Sequence, residues 1–187
     1  MKIFISIFLF IVLSLSQGTS QELVLPSPCD LLEESDMMGL FNADKGSLTM
    51  YKDDQLQKYN RKKCFYSWDK PNSEVKVFLE FKRNPDVSLY PQRFEEDLNQ
   101  FLEKGIKVSK SEKLIFKFEP MDSMGFPAIY SGNMNNEKIL IFRLDNDYII
   151  SLHYQEFVDY DIGDFRPAFI DAARRLLTNL DIYRRER

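Results

Sequence analysis

Few residues of this 187-residue chain are of types that do chemistry at neutral pH. The only histidine is His153. A neutral imidazole serves as a base or a metal ligand, but only beside a partner that orients it. No Gly-x-Ser-x-Gly elbow, His-Glu-x-x-His pair or glycine-rich phosphate loop accompanies it. His153 is therefore read as structural or surface, no catalytic residue is assigned, and a small exported hydrolase using His153 and a nearby acid stands as the alternative. The second chemical candidate is the acidic run Glu156, Asp159, Asp161 and Asp164. Calcium takes several hard oxygens on a flexible loop, and Asp159-x-Asp161 begins like such a loop. The pattern then departs, because the glycine is Gly163, one place early, and no Glu follows at the twelfth position. Asp159, Asp161 and Asp164 remain the metal candidates. The expectation is a solvated loop whose last acid, Asp164, caps a helix, with no metal or cofactor bound.

The third chemistry is that of sulfur. The chain holds two cysteines, Cys29 and Cys64, too far apart for a Cys-x-x-Cys redox motif. Their state depends on compartment. Met1-Lys2 is followed by an apolar run from Ile3 to Leu15, broken only by Ser6 and Ser14, and then by Ser16-Gln17-Gly18-Thr19-Ser20. One positive charge, an apolar centre of about 13 residues and small residues spaced for cleavage after Gly18 or Ser20 make a secretory signal peptide over residues 1–20. The run is shorter than the roughly 20 residues of a membrane span, so no stable membrane anchor is expected. Export carries the chain into an oxidising compartment, secreted or periplasmic, where Cys29 and Cys64 pair in a disulfide. The loop so closed spans about 35 positions, which in the chain-entropy picture stabilises by about 3 to 4 kcal/mol.

Removing Lys2 with the leader takes one from 25 basic residues against 29 acidic ones, for a net charge of about −5. Mild acidity excludes nucleic acid, whose affinity rests on neutralising phosphates. Residues 21–187 suit a single domain with a real core.

The elements that must position these groups follow from periodicity. Asp30-Leu31-Leu32-Glu33 has capping-box spacing and opens a short helix to about Phe41 that buries Leu32, Met37, Leu40 and Phe41. Gly46 to Tyr51 reads as a strand and Lys52 to Lys63 as a solvated connection. Cys64 to Trp68 is the next strand, with Cys64, Tyr66 and Trp68 on one face and Phe65 and Ser67 on the other. A turn at Asp69-Lys70-Pro71-Asn72 joins it to Glu74–Lys82, where Val75, Val77, Leu79 and Phe81 alternate with Lys76, Phe78, Glu80 and Lys82. Because the second set still includes Phe78, part of the second face must also be covered. From Pro91 the period becomes helical, with Phe94, Leu98, Phe101 and Leu102 on one side and Gly105 as terminator. Leu114–Glu119, Ala128–Asn133, Lys138–Leu144 and Tyr148–Tyr154 are four further strands with short connections, the mark of an antiparallel meander. Asp164 and Pro167 open a last helix with the apolar stripe Phe169, Ala173, Leu176, Leu177 and Leu180, and Tyr183 to Arg187 reads as a frayed tail.

The fold class is thus α+β, an antiparallel sheet of about six or seven strands packed with helices. Pro28-Cys29-Asp30-Leu31-Leu32 followed by Cys64-Phe65-Tyr66-Ser67-Trp68 resembles small exported bacterial proteins of unknown function that pair a Pro-Cys-x-Leu-Leu start with a later Cys-x-Tyr-x-Trp. Their element order is similar to the PsbP-like sandwich. That resemblance implies an accessory or binding module. Many of those relatives are lipoproteins, and this chain lacks their lipidated cysteine.

Tyr66, Trp68, Phe116, Phe118 and Phe126 read as core, so a binding surface is sought on loops such as Met121–Phe126. The expectation is a secreted or periplasmic, non-catalytic domain that binds a protein or small ligand. The alternatives are the His153 hydrolase and a calcium-stabilised module on Asp159 and Asp161.

Overall fold

The structure is a computed structural model that describes residues 26–108 and 114–185. The leader read from residues 1–20 lies outside the described residues. Among the described residues nine strands and five helices follow one another as α1 (Pro28–Leu31), α2 (Glu34–Phe41), β1 (Thr49–Gln55), α3 (Leu56–Tyr59), β2 (Arg61–Lys70), β3 (Ser73–Arg83), α4 (Arg93–Lys104), β4 (Ile106–Lys107), β5 (Ile115–Phe116), β6 (Glu119–Pro120), β7 (Ala128–Ser131), β8 (Glu137–Arg143), β9 (Tyr148–Glu156) and α5 (Arg166–Arg185). Seven strands form one sheet in the order β1-β2-β3-β9-β8-β7-β6, while β4 and β5 make a separate two-stranded ladder. All pairings are antiparallel. The architecture is α+β, as the alternation of the strands requires.

The sheet is two meanders joined where β3 pairs with β9, Phe78 opposite His153. Its first face carries Cys64, Tyr66, Trp68, Val75, Val77, Leu79 and Phe81, all at most 1 % exposed. The helices α1, α2 and α5 cover it, α5 contributing Phe169, Ala172, Ala173, Leu176 and Leu180. The opposite face has a smaller core, in which Phe94 and Leu98 of α4 pack on Phe116, Phe118, Ile129, Ile139, Ile141 and Ile149.

Four local readings change. The first helix is two: Leu32 is extended (φ −125°, ψ 109°), and the capping box moves on to Glu33 and Asp36, the Glu33 N–H donating to Asp36 Oδ2 at 2.9 Å. The break is stabilised from outside, because the Tyr66 hydroxyl donates to the Leu32 carbonyl and Asn179 Nδ2 to the Leu31 carbonyl at 2.7 Å. Lys52–Gln55 and Arg61–Lys63 are strand rather than connection, since β1 and β2 continue their ladder to the pair Gln55 and Arg61. The expected strand Leu114–Glu119 is split, Ile115–Phe116 joining the small ladder and Glu119–Pro120 the main sheet. The tail is not frayed at Tyr183, for α5 runs to Arg185 and Arg184 reaches Asp145 at 3.8 Å.

Gly105 ends α4 as expected, its N–H donating to the Phe101 carbonyl at 2.8 Å. Its φ of +69° and the approach of the Phe116 carbonyl, 2.3 Å from where a Cβ would stand, both demand glycine. Cys29 and Cys64 lie at disulfide-bonding distance, Cα to Cα 5.1 Å. The bond ties α1 to the middle of β2.

Candidate functional site

Helix α4 packs over β7 and β8, and the half of the second face built by β1, β2 and β3 lies beyond it. One cross-strand row runs over this half: Tyr51 opposite Phe65, Phe65 opposite Phe78, Phe78 opposite His153, and His153 opposite Ile139 at the edge of the core beneath α4. Successive ring centroids are 6.0, 5.3 and 6.4 Å apart. Tyr51 is 66 % exposed, and Phe65, Phe78 and His153 are half-buried by one another. Polar rows lie on either side. Asp53, Lys63, Glu80 and Ser151 form one, with Lys63 Nζ 2.8 Å from Glu80, and Thr49, Ser67, Lys76 and Gln155 form the other, with Lys76 Nζ 3.2 Å from Glu74. The result is an aromatic ridge between two rims that carry both signs of charge, the composition of a surface that binds through apolar anchors with polar groups at its edges.

The ring planes alternate, Phe65 and Phe78 meeting at 85° and Phe78 and His153 at 83°. Rings edge-to-face with each other offer no common plane on which a flat ligand stacks. They offer ridges and gaps into which side chains interdigitate.

His153 thus sits in the aromatic row with Glu137 Oε1 3.5 Å from its Nδ1. An acid partner is present. A nucleophile is not supplied by the nearest hydroxyl on that strand, because Ser151 is two residues away, about 7 Å along a strand.

The acidic loop is organised by cations of the chain itself. Lys138 is 2 % exposed, and its ammonium donates to the carbonyls of Gly132 at 3.0 Å and Met134 at 2.7 Å and to Asp161 Oδ1 at 3.0 Å. Three oxygens around one ammonium occupy the place that a bound cation would need. The Gly163 N–H and then Lys138 hold the Asp161 carboxyl below its ordinary range. Asp164 is lowered likewise, first by the backbone N–H of Arg166 and then by its guanidinium, whose Nε is 3.0 Å away. Asp159 lines a separate cleft with Phe157, Val158 and Tyr160. The three expected metal candidates do not converge, and among the described residues no three His, Cys, Asp or Glu side chains are placed to hold a metal ion.

No family model, curated protein or solved structure matches this chain.

The fourth acid of the run, Glu156, is the most deeply placed, 3 % exposed. It accepts from Lys70 Nζ at 2.6 Å, Ser73 Oγ at 2.8 Å, the Tyr154 hydroxyl at 3.1 Å and the Tyr160 hydroxyl at 3.4 Å. Burial alone would raise its carboxyl, but the bonds from Lys70, Ser73 and Tyr154 outweigh it and hold the group below its ordinary value. Burial first, then the Glu156 charge, push the Tyr154 phenol far up, so it stays a neutral donor. Every partner is internal, and the hub is structural.

The apolar ends of the loop Met121–Phe126, sought from sequence as a binding surface, pack inward, while Asp122, Ser123 and Gly125 between them are exposed. Met121 is 5 % exposed, and Phe126 packs on Phe142 at 5.2 Å. Tyr66 and Trp68 are core under α1 and α2, and Phe116 and Phe118 are core under α4. The row Tyr51–Phe65–Phe78 was missed. Its signal was available: Phe65 and Phe78 are the large apolar residues on the face opposite the cysteines in β2 and β3.

Proposed function

We propose that the protein is an exported, non-catalytic domain that binds another protein through the open half of its second sheet face. The aromatic row from Tyr51 to His153, left beyond the reach of α4, is the observation that carries this reading. Supporting it are the alternating ring planes, which suit side chains rather than a planar ligand. The charged edge strand, with Lys52, Asp53 and Asp54, also disfavours recognition by strand addition at β1. Export is supported by the leader composition and by cysteines at disulfide distance, which belong to an oxidising compartment. No helix among the described residues is long and apolar enough to cross a membrane. The resemblance to PsbP-like accessory modules points the same way.

The test is cross-linking in the native envelope or medium with wild type and Phe65→Ser/Phe78→Ser as parallel baits. A partner captured by wild type and lost with the variant, at unchanged near-UV circular dichroism, supports the reading. Equal capture by both removes it. The competing reading, a hydrolase built on the 3.5 Å pair of His153 and Glu137, requires an ester- or amide-cleaving activity that His153→Ala abolishes without lowering the melting temperature.

A further inference from the structure

Among the described residues the most exposed large apolar side chain, Leu89, lies at an end of the sheet rather than on its faces. The connection from β3 to α4 carries Leu89 and Tyr90, 72 % and 60 % exposed. The loop that shows them is tightly built. Asn84, 2 % exposed, donates its N–H to the Asp147 carbonyl at 2.7 Å and its Nδ2 to the Tyr90 carbonyl at 2.8 Å, while its Oδ1 accepts from the Asp86 N–H at 3.2 Å. The N–H groups of Leu89 and Tyr90 both return to the Asp86 carbonyl, at 3.0 and 2.8 Å. Pro85 and Pro91 stiffen the two ends. A buried polar side chain, two turn bonds and two prolines therefore hold a pair of apolar side chains out into solvent, where their exposure is unfavourable unless something covers them.

The β1–β2 connection emerges beside it, the Arg83 N–H donating to the Asn60 carbonyl at 2.7 Å. It shows Tyr59, 47 % exposed, with Lys58 Nζ 4.8 Å and Arg61 Cζ 5.0 Å from the ring centroid. Two tyrosines, a leucine and basic side chains on protruding turns are the residue types that settle at a membrane–water boundary, rings and alkyl groups among the acyl chains and cations at the headgroups. A protein hot spot instead sits in a patch whose rim excludes water, which a convex tip lacks. Asp86 and Asp147 at this end keep the contact from being a purely electrostatic one.

We infer that this end of the sheet is a reversible phospholipid contact surface, with Leu89 and Tyr90 as the inserting pair and Tyr59 with Lys58 and Arg61 beside them. The contact is distinct from the aromatic row on the sheet face.

The experiment uses the protein recovered from the exported fraction, sedimented with vesicles of phosphatidylcholine and of an equal mixture with phosphatidylglycerol. Wild type is expected to pellet with both at millimolar lipid, more with the anionic mixture, and Leu89→Ser/Tyr90→Ser to lower the partition coefficient by about tenfold or more. Phe65→Ser/Phe78→Ser is expected to pellet like wild type. A second readout needs no loss of binding. Trp68, the chain's only tryptophan, is 1 % exposed and buried in the first core, so the emission of Tyr90→Trp reports the tip, and a blue shift on adding vesicles is expected. Wild type that stays in the supernatant, pelleting unchanged in the Leu89/Tyr90 variant, or unshifted Tyr90→Trp emission each overturns the inference. A protein cross-link lost with Leu89→Ser, in a chain that ignores both vesicle types, assigns the tip to a protein partner and overturns it too.

Discussion

At the scale of single residues, several charged groups among the described residues are engaged in holding the fold together. Glu156 shows how. Its carboxylate joins the β2–β3 turn, through Lys70 and Ser73, to the end of β9 and the loop behind it, through Tyr154 and Tyr160. Removing the charge leaves the half-buried Lys70 ammonium, which also donates to the Tyr154 hydroxyl at 3.1 Å, without its anionic partner, so Glu156→Gln is expected to destabilise by about 1 to 3 kcal/mol near neutral pH. Because the folded carboxyl is held below the ordinary value of 4.5, its stabilisation is complete above that value and fades as pH falls through the lower folded one. The gap between wild type and Glu156→Gln in urea midpoint should therefore be widest near pH 7 and narrow progressively as pH falls below 4.5 towards the lower folded value. A gap that persists unchanged at pH 3 would mean that the carboxylate charge is not what matters. Lys138 plays the mirrored part, an ammonium among three oxygens. From sequence, the acids around it looked like half of a calcium loop. Nothing in their spacing shows that the cation already belongs to the chain, twenty-odd positions upstream in the apolar run of β8.

Elements were legible where periodicity was long and their partners local. The alternation through Cys64–Trp68 and Glu74–Lys82 marks a hairpin, and the register bears it out, Cys64 opposite Leu79 and Trp68 opposite Val75. The stripe Phe94, Leu98, Phe101 and Leu102 with Gly105 behind it marks α4 almost to the residue. What failed was decided by tertiary contact. The kink at Leu32 survives because Tyr66 and Asn179, 34 and 148 positions away, take the freed carbonyls. The charged residues of β1 look like a loop because an edge strand exposes most of its side chains and carries charge against aggregation. The staple between α1 and β2 was legible in the chain's two cysteines. Cys29→Ser/Cys64→Ser is expected to lose about 3 to 4 kcal/mol, read as a lower urea midpoint, with the slope rising because the released denatured chain exposes more surface. With Tyr66 still anchoring the Leu32 carbonyl, the variant should keep its far-UV spectrum. A variant as stable as wild type would show that packing alone seats α1.

For the whole molecule, the asymmetry between the two faces sets both stability and use. One face is buried under three helices from the two ends of the chain, so its core forms only when Cys29–Phe41 and Arg166–Arg185 come together over the same strands. The other is half covered by one helix and half bare. The bare half was legible only in part, in Phe65 and Phe78 on the face opposite the cysteines. Phe78 argued for cover, and the row instead covers itself, ring against ring, which no one-dimensional period announces. Opening free energies should follow the same division. The strands β3 and β9 lie at the centre of the sheet, paired on both edges, with the large core on one side. Their amides should exchange only on global unfolding. Those of α4 are held by the smaller core, by Arg143 to Glu95 at 3.0 Å and by the longer contact of Lys82 with Asp97 at 3.9 Å. They should exchange through a sub-global opening that leaves α5 protected. Hydrogen exchange read by mass spectrometry would show β3, β9 and α5 as one slow group and α4 with β4 and β5 as a faster one. If α4 instead exchanges with α5, the two faces open together. The bare half would then be part of one cooperative sandwich rather than the free side of a sheet that is already stable from behind.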